Sequence, residues 1–293
     1  MTQLSSPHAG SRLAQIGPAL LGASSFACAD VLSKVVLIEG ADVLTMSAVR
    51  AVLGVAFLFA WLKLAPPRGA FSPRAMWIAL GMGIVFAGNV FLVFKAIEAV
   101  EVPIAILTYF VYPLLTGLAA AATGLERVTW RGGAAAVAAF LGLALMIGAH
   151  PTQLATVGIV AALGAAVCRV VILLVTRALL SGADALRITW YSLLSSTVIF
   201  VIVSLATADW QPPATASGWL ALIGLSLAVT TGLLGVFAST GRIGPFRTAL
   251  FMNLEPLLTT IGSALFLAEV LTPLQLLGGG IMLAALVMFQ LKR

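Results

Sequence analysis

Charged residues are scarce in this chain of 293 residues, where they make up 9%, while hydrophobic residues make up 61%. A soluble domain carries about 25% charged and roughly 45–50% apolar residues. The composition excludes an ordinary soluble protein, because a chain of this length cannot hide so much apolar surface from water. It favours one compact membrane domain with lipid as part of its solvent.

Sites for several kinds of chemistry are also missing. His8 and His150, the two histidines, lie in terminal or loop positions, which leaves no metal cluster and no buried histidine for a protease. No G-x-x-x-x-G-K-[ST] loop is present, so the polypeptide alone cannot hydrolyse ATP. Cys28 and Cys168 lie in apolar stretches and give no disulfide framework. We expect no catalytic residues, no cofactor and no metal.

The basic residues give a net charge of +6, but they are spread between apolar runs. Nucleic-acid binding needs a basic patch or stripe, so no nucleic-acid partner is expected. Residues 1–15 are mostly polar, and no cleavable signal peptide is evident. The first apolar segment is therefore expected to stay as a helix.

Ten apolar segments remain when the chain is cut at its charges, prolines and polar clusters. Each approaches the ~20 residues that a helix needs to cross the hydrocarbon core. None alternates polar and apolar residues as barrel strands do, which predicts an all-α integral membrane protein with ten transmembrane helices. The predicted spans are residues 17–37, 43–62, 76–94, 102–122, 133–149, 155–176, 188–208, 219–239, 246–267 and 274–291.

The loops differ sharply in positive charge. With the N-terminus inside, the cytoplasmic segments hold twelve lysines and arginines, while the outer segments hold Lys95 alone. Cytoplasmic loops are generally enriched in these residues. The sequence therefore predicts a multi-pass protein of a bacterial-type inner membrane with both termini in the cytoplasm.

The two halves of the chain resemble each other at an offset of 142 residues, which becomes 143 after a single slip. Six matches in register indicate an internal repeat rather than chance similarity. The matches are Gly40-Ala41-Asp42 with Gly182-Ala183-Asp184, Trp77–Leu80 with Trp219–Leu222, Pro103 with Pro245, Pro113–Thr116 with Pro256–Thr259, Glu126 with Glu269, and Thr129 with Thr272.

Five spans in each repeat, an odd number, force the second repeat to cross the membrane in the opposite sense. The predicted organisation is a tail at 1–16, a first five-helix repeat at 17–149 and an inverted second repeat at 150–293. Inverted repeats place a substrate site near the bilayer midplane, where the halves meet. They also permit two mirror-related states, as alternating access requires.

A run of residues in the second repeat resembles the EamA-type pattern of the drug/metabolite transporter superfamily. In that pattern a proline-containing helix is followed by an acidic residue, a Leu-Thr step and a glycine-rich last helix. The run comprises Pro256-Leu257-Leu258-Thr259, Glu269-Val270-Leu271-Thr272, Gln275 and Gly278. The first repeat carries a degraded copy from Pro113 to Thr129, with Gly132 and Ala135 in place of the glutamine and glycine.

The resemblance covers essentially the whole chain and implies a ten-helix carrier, often an exporter of amino acids or related metabolites. In length and layout the chain is most similar to the aromatic amino-acid exporter type. The motif glutamates, Glu126 and Glu269, are interpreted as structural loop residues without a substrate role.

Five charged side chains lie within the predicted spans: Asp30, Lys34, Arg50, Arg169 and Glu255. Each would cost about 3 kcal/mol if it faced lipid, so each must face a cavity, form a pair or snorkel to an interface. Lys34 is near enough to an outer helix end to snorkel. For Arg169 snorkelling and a cavity position stay open.

Asp30 and Arg50 lie at equal depth in the first two spans, which are expected to be antiparallel neighbours because a very short loop joins them. They are expected to form an ion pair, or to engage a zwitterionic substrate in a cavity wall. Glu255 directly precedes Pro256, whose missing N–H should open the helix there. It is a candidate site for a substrate ammonium or a coupling proton; the alternatives are capping by loosened backbone donors or pairing with Arg169.

Polar groups at mid-depth mark further cavity candidates. Tyr109, Tyr112 and Asn89 carry hydroxyl and amide groups that need partners inside the bilayer. Pro113 and Pro256, at matching positions in spans four and nine, are candidate gating hinges, with a static kink as the alternative. The small-residue faces of spans five and ten are typical of close helix packing and are assigned to scaffold or a dimer contact.

The sequence thus predicts a secondary carrier or facilitator for amino acids and related zwitterionic metabolites, working by alternating access. Its expected partners are the small-molecule substrate and membrane lipid; a monomer and a homodimer both stay open. Alternatives are export of drugs, nucleobases or phosphorylated sugars, with or without proton coupling. Three basic residues against two acids in the spans favour a carboxylate over a cationic drug. A lipid-modifying enzyme using Asp30, Arg50 and Glu255, or a non-transporting sensor or assembly subunit, are the remote alternatives.

Overall fold

Twelve helices form the secondary structure of the computed structural model, which describes residues 9–67, 70–148, 155–207, 210–267 and 271–291. Glu269, one of the two motif glutamates, lies outside these ranges. The elements are α1 (Ala9–Ile38), α2 (Val43–Leu64), α3 (Pro73–Ala99), α4 (Val102–Tyr109), α5 (Tyr112–Ala122), α6 (Trp130–Ile147), α7 (Thr156–Leu179), α8 (Ala185–Thr207), α9 (Ala216–Ile243), α10 (Pro245–Met252), α11 (Leu254–Phe266) and α12 (Pro273–Leu291).

Ten crossings follow from these helices, because α4 with α5 and α10 with α11 each form one broken span, at Val102–Ala122 and Pro245–Phe266. Within the described ranges, nine segments are long and apolar enough to cross a membrane. The tenth, in α12, is shorter and apolar over Pro273–Phe289. The expectation of an all-α membrane protein built from two inverted five-helix repeats is confirmed.

The repeated Gly-Ala-Asp sequence forms the same turn in both repeats. Gly40 and Gly182 have φ of 91° and 87°, a left-handed conformation that a side chain would strain. The aspartate two residues later then caps the next helix. Asp42 accepts hydrogen bonds from the Leu44 and Thr45 amides at 2.8 and 2.9 Å, and Asp184 accepts one from the Arg187 amide at 2.9 Å.

Proline breaks the fourth and ninth spans at matching positions, as the sequence predicts. In the fourth span the Val111 amide turns to the Thr108 carbonyl at 3.3 Å, and α5 then restarts around Pro113, which has no N–H to continue the ladder. In the ninth span α10 ends before Asn253, and α11 places Glu255 in its first turn, next to Pro256. Both breaks lie inside the bundle rather than at its ends.

Helices from opposite repeats make the most extensive contacts. From the first repeat, α1 packs on α9 and α11, α2 on α8 and α9, α3 on α7 and α8, and α6 on α12. The two repeats are therefore interlocked, and α1 and α2, although consecutive in sequence, are not among the pairs that pack closely. This corrects the expectation that the first two spans pack side by side, on which the proposed pairing of Asp30 with Arg50 depended.

The small-residue faces of α6 and α12 pack against each other within the chain. A Cβ built on Gly142 would lie 2.7 Å from the Gly278 carbonyl oxygen, so neither backbone tolerates a side chain at this crossing. Such close contact is how membrane helices gain dispersion energy when the hydrophobic effect cannot drive their association. The contact accounts for the scaffold role expected of these faces.

Candidate substrate cavity

A cavity of about 510 Å³ opens between α1, α4, α11 and α12, at the end of the bundle where α1 ends and α4 begins. Its wall combines ionisable and hydroxyl side chains with apolar ones. The polar lining consists of Asp30, Lys34, Tyr109, Glu255, Thr259, Thr260 and Gln275. Three residues predicted for the site, Asp30, Tyr109 and Glu255, are thus brought together.

The two acids face the cavity from different repeats. Asp30 on α1 accepts a hydrogen bond from the Thr259 hydroxyl on α11 at 2.8 Å. Glu255 lies one turn before Thr259 on the same helix, close enough to Asp30 for the two carboxyl groups to interact electrostatically. Lys34 follows Asp30 by one turn of α1, nearer the mouth. Two carboxyl groups and one ammonium therefore line the same cavity.

An aromatic layer begins at Tyr109, which lines the cavity, and continues to a buried arginine. The rings of Tyr109, Phe110 and Tyr112 lie with their centroids 5.3–5.6 Å apart. The Arg169 guanidinium stands 5.7 Å from the Tyr112 ring centroid and 5.3 Å from that of Phe26. Such contacts stabilise a cation away from water.

Arg169 is only 4% exposed, which settles its position: it faces the interior of the bundle and does not snorkel to an interface. Among the described residues its Nε has no hydrogen-bond partner, while the Tyr112 hydroxyl interacts with the guanidinium itself. Its interaction with Glu255 is electrostatic, at a separation beyond a salt bridge. The Nε is thus a buried donor that the surrounding side chains leave without a partner, beside the cavity.

Asn89 also lies in the interior, at 5% exposure, but it does not line the cavity. Its side-chain amide donates to the Ala165 carbonyl on α7 at 2.7 Å. Because that bond joins α3 to α7, Asn89 ties the two repeats together behind the tyrosines. Asn89 therefore does not face the cavity in this state, and the predicted contact with substrate requires another conformation of the bundle.

Arg50 does not join the other charged residues, and the predicted Asp30–Arg50 ion pair is absent from the described structure. The Arg50 guanidinium lies 5.9 Å from the Phe200 ring centroid on α8, whereas Asp30 binds Thr259 on α11. Equal depth in the membrane does not ensure contact, because Asp30 faces α11 whereas Arg50 faces α8. The packing of α1 on α9 and of α2 on α8 explains the separation.

The opposite end of the ninth span is closed by Glu126, from the loop between α5 and α6. Its carboxylate accepts the Phe246 amide at 2.9 Å and lies 3.4 Å from the Arg247 Nε. Both partners belong to the first turn of α10, where the unpaired amides and the helix dipole favour a negative charge. Gly244, with φ of 98°, brings the chain against the carboxylate.

Sequence reasoning missed four features of the cavity. Thr259, which belongs to the motif, and its neighbour Thr260 both line the cavity. Lys34 also faces the cavity instead of snorkelling to the interface. Gln275 lines it too, while its amide group and Thr272 cap α12 reciprocally at 2.8 and 3.2 Å. The motif marks two of these positions, Thr259 and Gln275.

A helical bundle of two interlocked inverted repeats, with an ionisable cavity between them, defines a membrane transporter. The chain belongs to the EamA-like transporter family, which matches residues 15–148 and again residues 156–291. Family membership confirms the expected transporter and removes the lipid-modifying enzyme and the sensor as explanations of the fold. The substrate is therefore a small molecule.

Two relatives and one solved structure show how far the likeness extends. The threonine/homoserine exporter RhtA of Escherichia coli (strain K12) is 27% identical over 248 residues, 82% of this chain and 79% of the relative. RhtA of Escherichia coli O157:H7 matches with the same values. A protein of known crystal structure aligns with a TM-score of 0.81 at 19% identity, over 95% of this chain and 100% of that one, which shows a shared fold.

Proposed function

We propose that this protein exports amino acids or related zwitterionic metabolites from the cytoplasm. The observation that carries the proposal is the charge pattern of the cavity, where Asp30 and Glu255 lie next to Lys34. A zwitterion offers an ammonium to the carboxyl groups and a carboxylate to the lysine. A ligand of one sign complements only one part of this pattern, whereas a zwitterion complements both.

The hydroxyl groups support a polar amino-acid side chain in the same cavity. Thr259, Thr260 and Tyr109 line it beside the acids. They provide donors and acceptors for a substrate hydroxyl of the kind found in threonine and homoserine, which the relatives are named for exporting. The likeness to an aromatic amino-acid exporter stays a prediction, and the tyrosine rings are the feature that favours it.

Arg169 has a separate proposed role in the transport cycle. It lies beneath the tyrosine layer with an unpartnered Nε. A guanidinium matches a carboxylate in two parallel hydrogen bonds, so Arg169 is positioned to take the substrate carboxylate once the bundle opens to the other side. Arg50 has no such position, and its proposed role is to anchor α2 on α8.

The conformational cycle is alternating access, with this structure in one of its two end states. The cavity opens at the end where α4 begins, while Glu126 closes the other end against α10. Pro113 and Pro256 divide the two spans between those ends. We propose that they act as hinges, which lets one half of each span move while the other half stays packed.

The bias of positive loops supports an inner-membrane location with both termini in the cytoplasm, which makes the open end the outer one. The division into repeats at 17–149 and 150–293 is likewise a proposal, supported by the two family matches. Under this orientation the structure corresponds to an outward-open state.

Export of cationic drugs is the second candidate. Of the three basic residues within the spans, Lys34 alone lines the cavity, whereas both acids do, so the charge count of the whole spans overstates the preference for a carboxylate. A monovalent cation would bind Asp30 and Glu255 and gain nothing from Lys34. Discrimination therefore depends on whether removal of the Lys34 charge weakens or strengthens binding.

The test is uptake by liposomes that contain the purified protein, with radiolabelled threonine, homoserine, an aromatic amino acid and an organic cation, each with and without a proton gradient. Uptake of the amino acids, with loss of uptake in Lys34→Gln, is the expected result. Uptake of the cation alone, preserved or raised in Lys34→Gln, contradicts the zwitterion proposal. A dependence on the proton gradient assigns coupling to Asp30 or Glu255.

A further inference from the structure

A second pocket, of about 440 Å³, lies at the closed end of the bundle and shares no lining residue with the substrate cavity. We call it the interfacial pocket. It is formed by the last turns of α2, the loop that follows, and the first turns of α8. Its wall includes two basic side chains and four aromatic rings: Lys63, Arg187, Phe59, Phe71, Trp190 and Tyr191.

Two cations are held on the pocket wall by aromatic faces. The Lys63 ammonium lies 5.4 Å from the Phe59 ring centroid, and the Arg187 guanidinium lies 5.9 Å from that of Phe71. Arg187 also donates to the Pro67 carbonyl at 2.9 Å, which fixes it against the loop. Both cations are thus positioned before any ligand arrives, which lowers the entropic cost of binding an anion.

The rings behind the cations form one packed group. Phe71 stacks on Tyr191 at a centroid distance of 5.5 Å and an interplanar angle of 13°. Trp190 meets Tyr191 at 4.8 Å and Phe59 at 6.3 Å. Because Phe59 and Phe71 already carry Lys63 and Arg187 over their faces, they are not free to bind a quaternary ammonium.

Among the described residues that line the pocket there is no carboxylate. Asp184, the acid nearest in sequence to Arg187, caps the first turn of α8 through the Arg187 backbone amide. An anion in the pocket would therefore meet two cations, whereas the ammonium of a zwitterionic headgroup would meet like charges.

The pocket stands at the edge of the apolar belt. Leu64, which ends α2 beside it, is 87% exposed, as expected for a side chain that faces hydrocarbon. Tryptophan and tyrosine are enriched at this depth because their rings suit the headgroup region. A membrane ligand bound in this pocket would place its charged group at the depth of the headgroups and its apolar part along the helices.

We propose that the interfacial pocket binds the phosphate group of an anionic phospholipid, with Lys63 and Arg187 as its counter-ions. Basic pockets between helix ends on the cytoplasmic side are suited to this class of lipid. Under the proposed orientation the lipid belongs to the cytoplasmic leaflet, where anionic headgroups are concentrated. The bound lipid links the α2–α3 loop of the first repeat to α8 of the second.

The test is native mass spectrometry of the whole protein after exchange into micelles with equal amounts of phosphatidylglycerol and phosphatidylcholine of the same chain length. The parent protein should retain phosphatidylglycerol. Its occupancy should be about fivefold lower in Lys63→Gln, because one cation near a membrane surface contributes about 1 kcal/mol to the binding of an anionic lipid. Lys63→Arg, which keeps the charge over Phe59, should restore it. Its recovery also shows that the site, and not the fold, is affected.

Arg131→Gln is the matched control. Arg131 lies 5.7 Å from the Trp130 ring centroid at the start of α6, at the same end of the bundle but outside the pocket wall. It should keep the occupancy of the parent protein. Equal loss in Arg131→Gln overturns the proposal in favour of general surface charge. Equal retention of phosphatidylcholine, or displacement of the lipid by glycerol phosphate without acyl chains, also overturns it.

Discussion

The Glu126 carboxylate accepts a hydrogen bond from the Phe246 backbone amide at 2.9 Å, which joins the first repeat to the start of α10 in the second. The Arg247 Nε lies 3.4 Å from the other carboxylate oxygen. A carboxylate at a helix N-terminus is stabilised by the unpaired amides and by the helix dipole. This contact closes the end of the ninth span opposite the substrate cavity, so its strength helps to set the balance between the two end states.

Glu126→Gln is expected to shift that balance toward the state open at the α10 end. The glutamine can still accept the Phe246 amide, but it loses the charge, at a cost of about 1–2 kcal/mol and hence a five- to thirtyfold change in population. The readout is maleimide labelling of Ala249→Cys, a buried position on α10, in a background without Cys28 and Cys168. Arg247→Gln, which keeps the amide bond, should raise labelling less. Unchanged labelling in both variants would show that the contact does not control opening.

Glu255→Gln and Asp30→Asn should each reduce amino-acid transport at least tenfold while leaving folded protein. Each removes one charge-assisted contact to the substrate ammonium, an interaction worth about 1.5–3 kcal/mol. Lys95→Gln, near the end of α3 where Lys95 pairs with Glu98 at 2.7 Å, is the control for charge loss and should transport normally. Full activity in both acid variants would remove them from the site.

Pro113→Ala and Pro256→Ala test the hinges. Alanine supplies the missing N–H and lets each broken span become more continuous, so exchange between the end states should slow. Counterflow uptake, which needs repeated exchange of the loaded carrier, should fall in both variants while substrate affinity is retained. The same rates in both variants as in the parent protein would leave the breaks as static kinks.

The turns and the spans were predictable because local rules determine them. A glycine followed two residues later by a capping aspartate gives the same turn at Asp42 and Asp184, whatever surrounds it. Length and hydropathy likewise define the ten crossings. The place of Glu255 in the cavity also follows locally, since the adjacent Pro256 and the repeat mark the broken part of its span.

The partners of Asp30 and Arg50 were not predictable from depth alone. Span boundaries give the height of a side chain in the membrane but not the direction in which it points. Interlocked inverted repeats add to the difficulty, because α1 packs on α9 and α11 rather than on α2. Lys34 was missed for the same reason: its short distance from a helix end allows snorkelling, and only the position of α11 and α12 shows that it faces the cavity.

Acid sensitivity is predicted for the turn between α1 and α2. Burial alone would raise the pKa of Asp42, but hydrogen bonds from Thr45, Leu44 and the Gln211 amide outweigh it and lower the pKa below its usual value. The unfolded chain then binds the proton more tightly than the folded one, so this contribution to stability is complete above the unfolded pKa of about 3.9 and is lost as the pH falls through the lower folded value.

Asp42→Asn isolates this charge, since asparagine is also a good N-cap. The Gln211 amide, 3.1 Å from the second Asp42 oxygen, belongs to the loop before α9, so the carboxylate also fastens the two repeats together. In detergent, the melting temperature of the parent protein should exceed that of Asp42→Asn at about pH 6, and the difference should shrink below the unfolded pKa of about 3.9. A difference that stays constant down to about pH 3 would mean that geometry, and not the charge of Asp42, stabilises the turn.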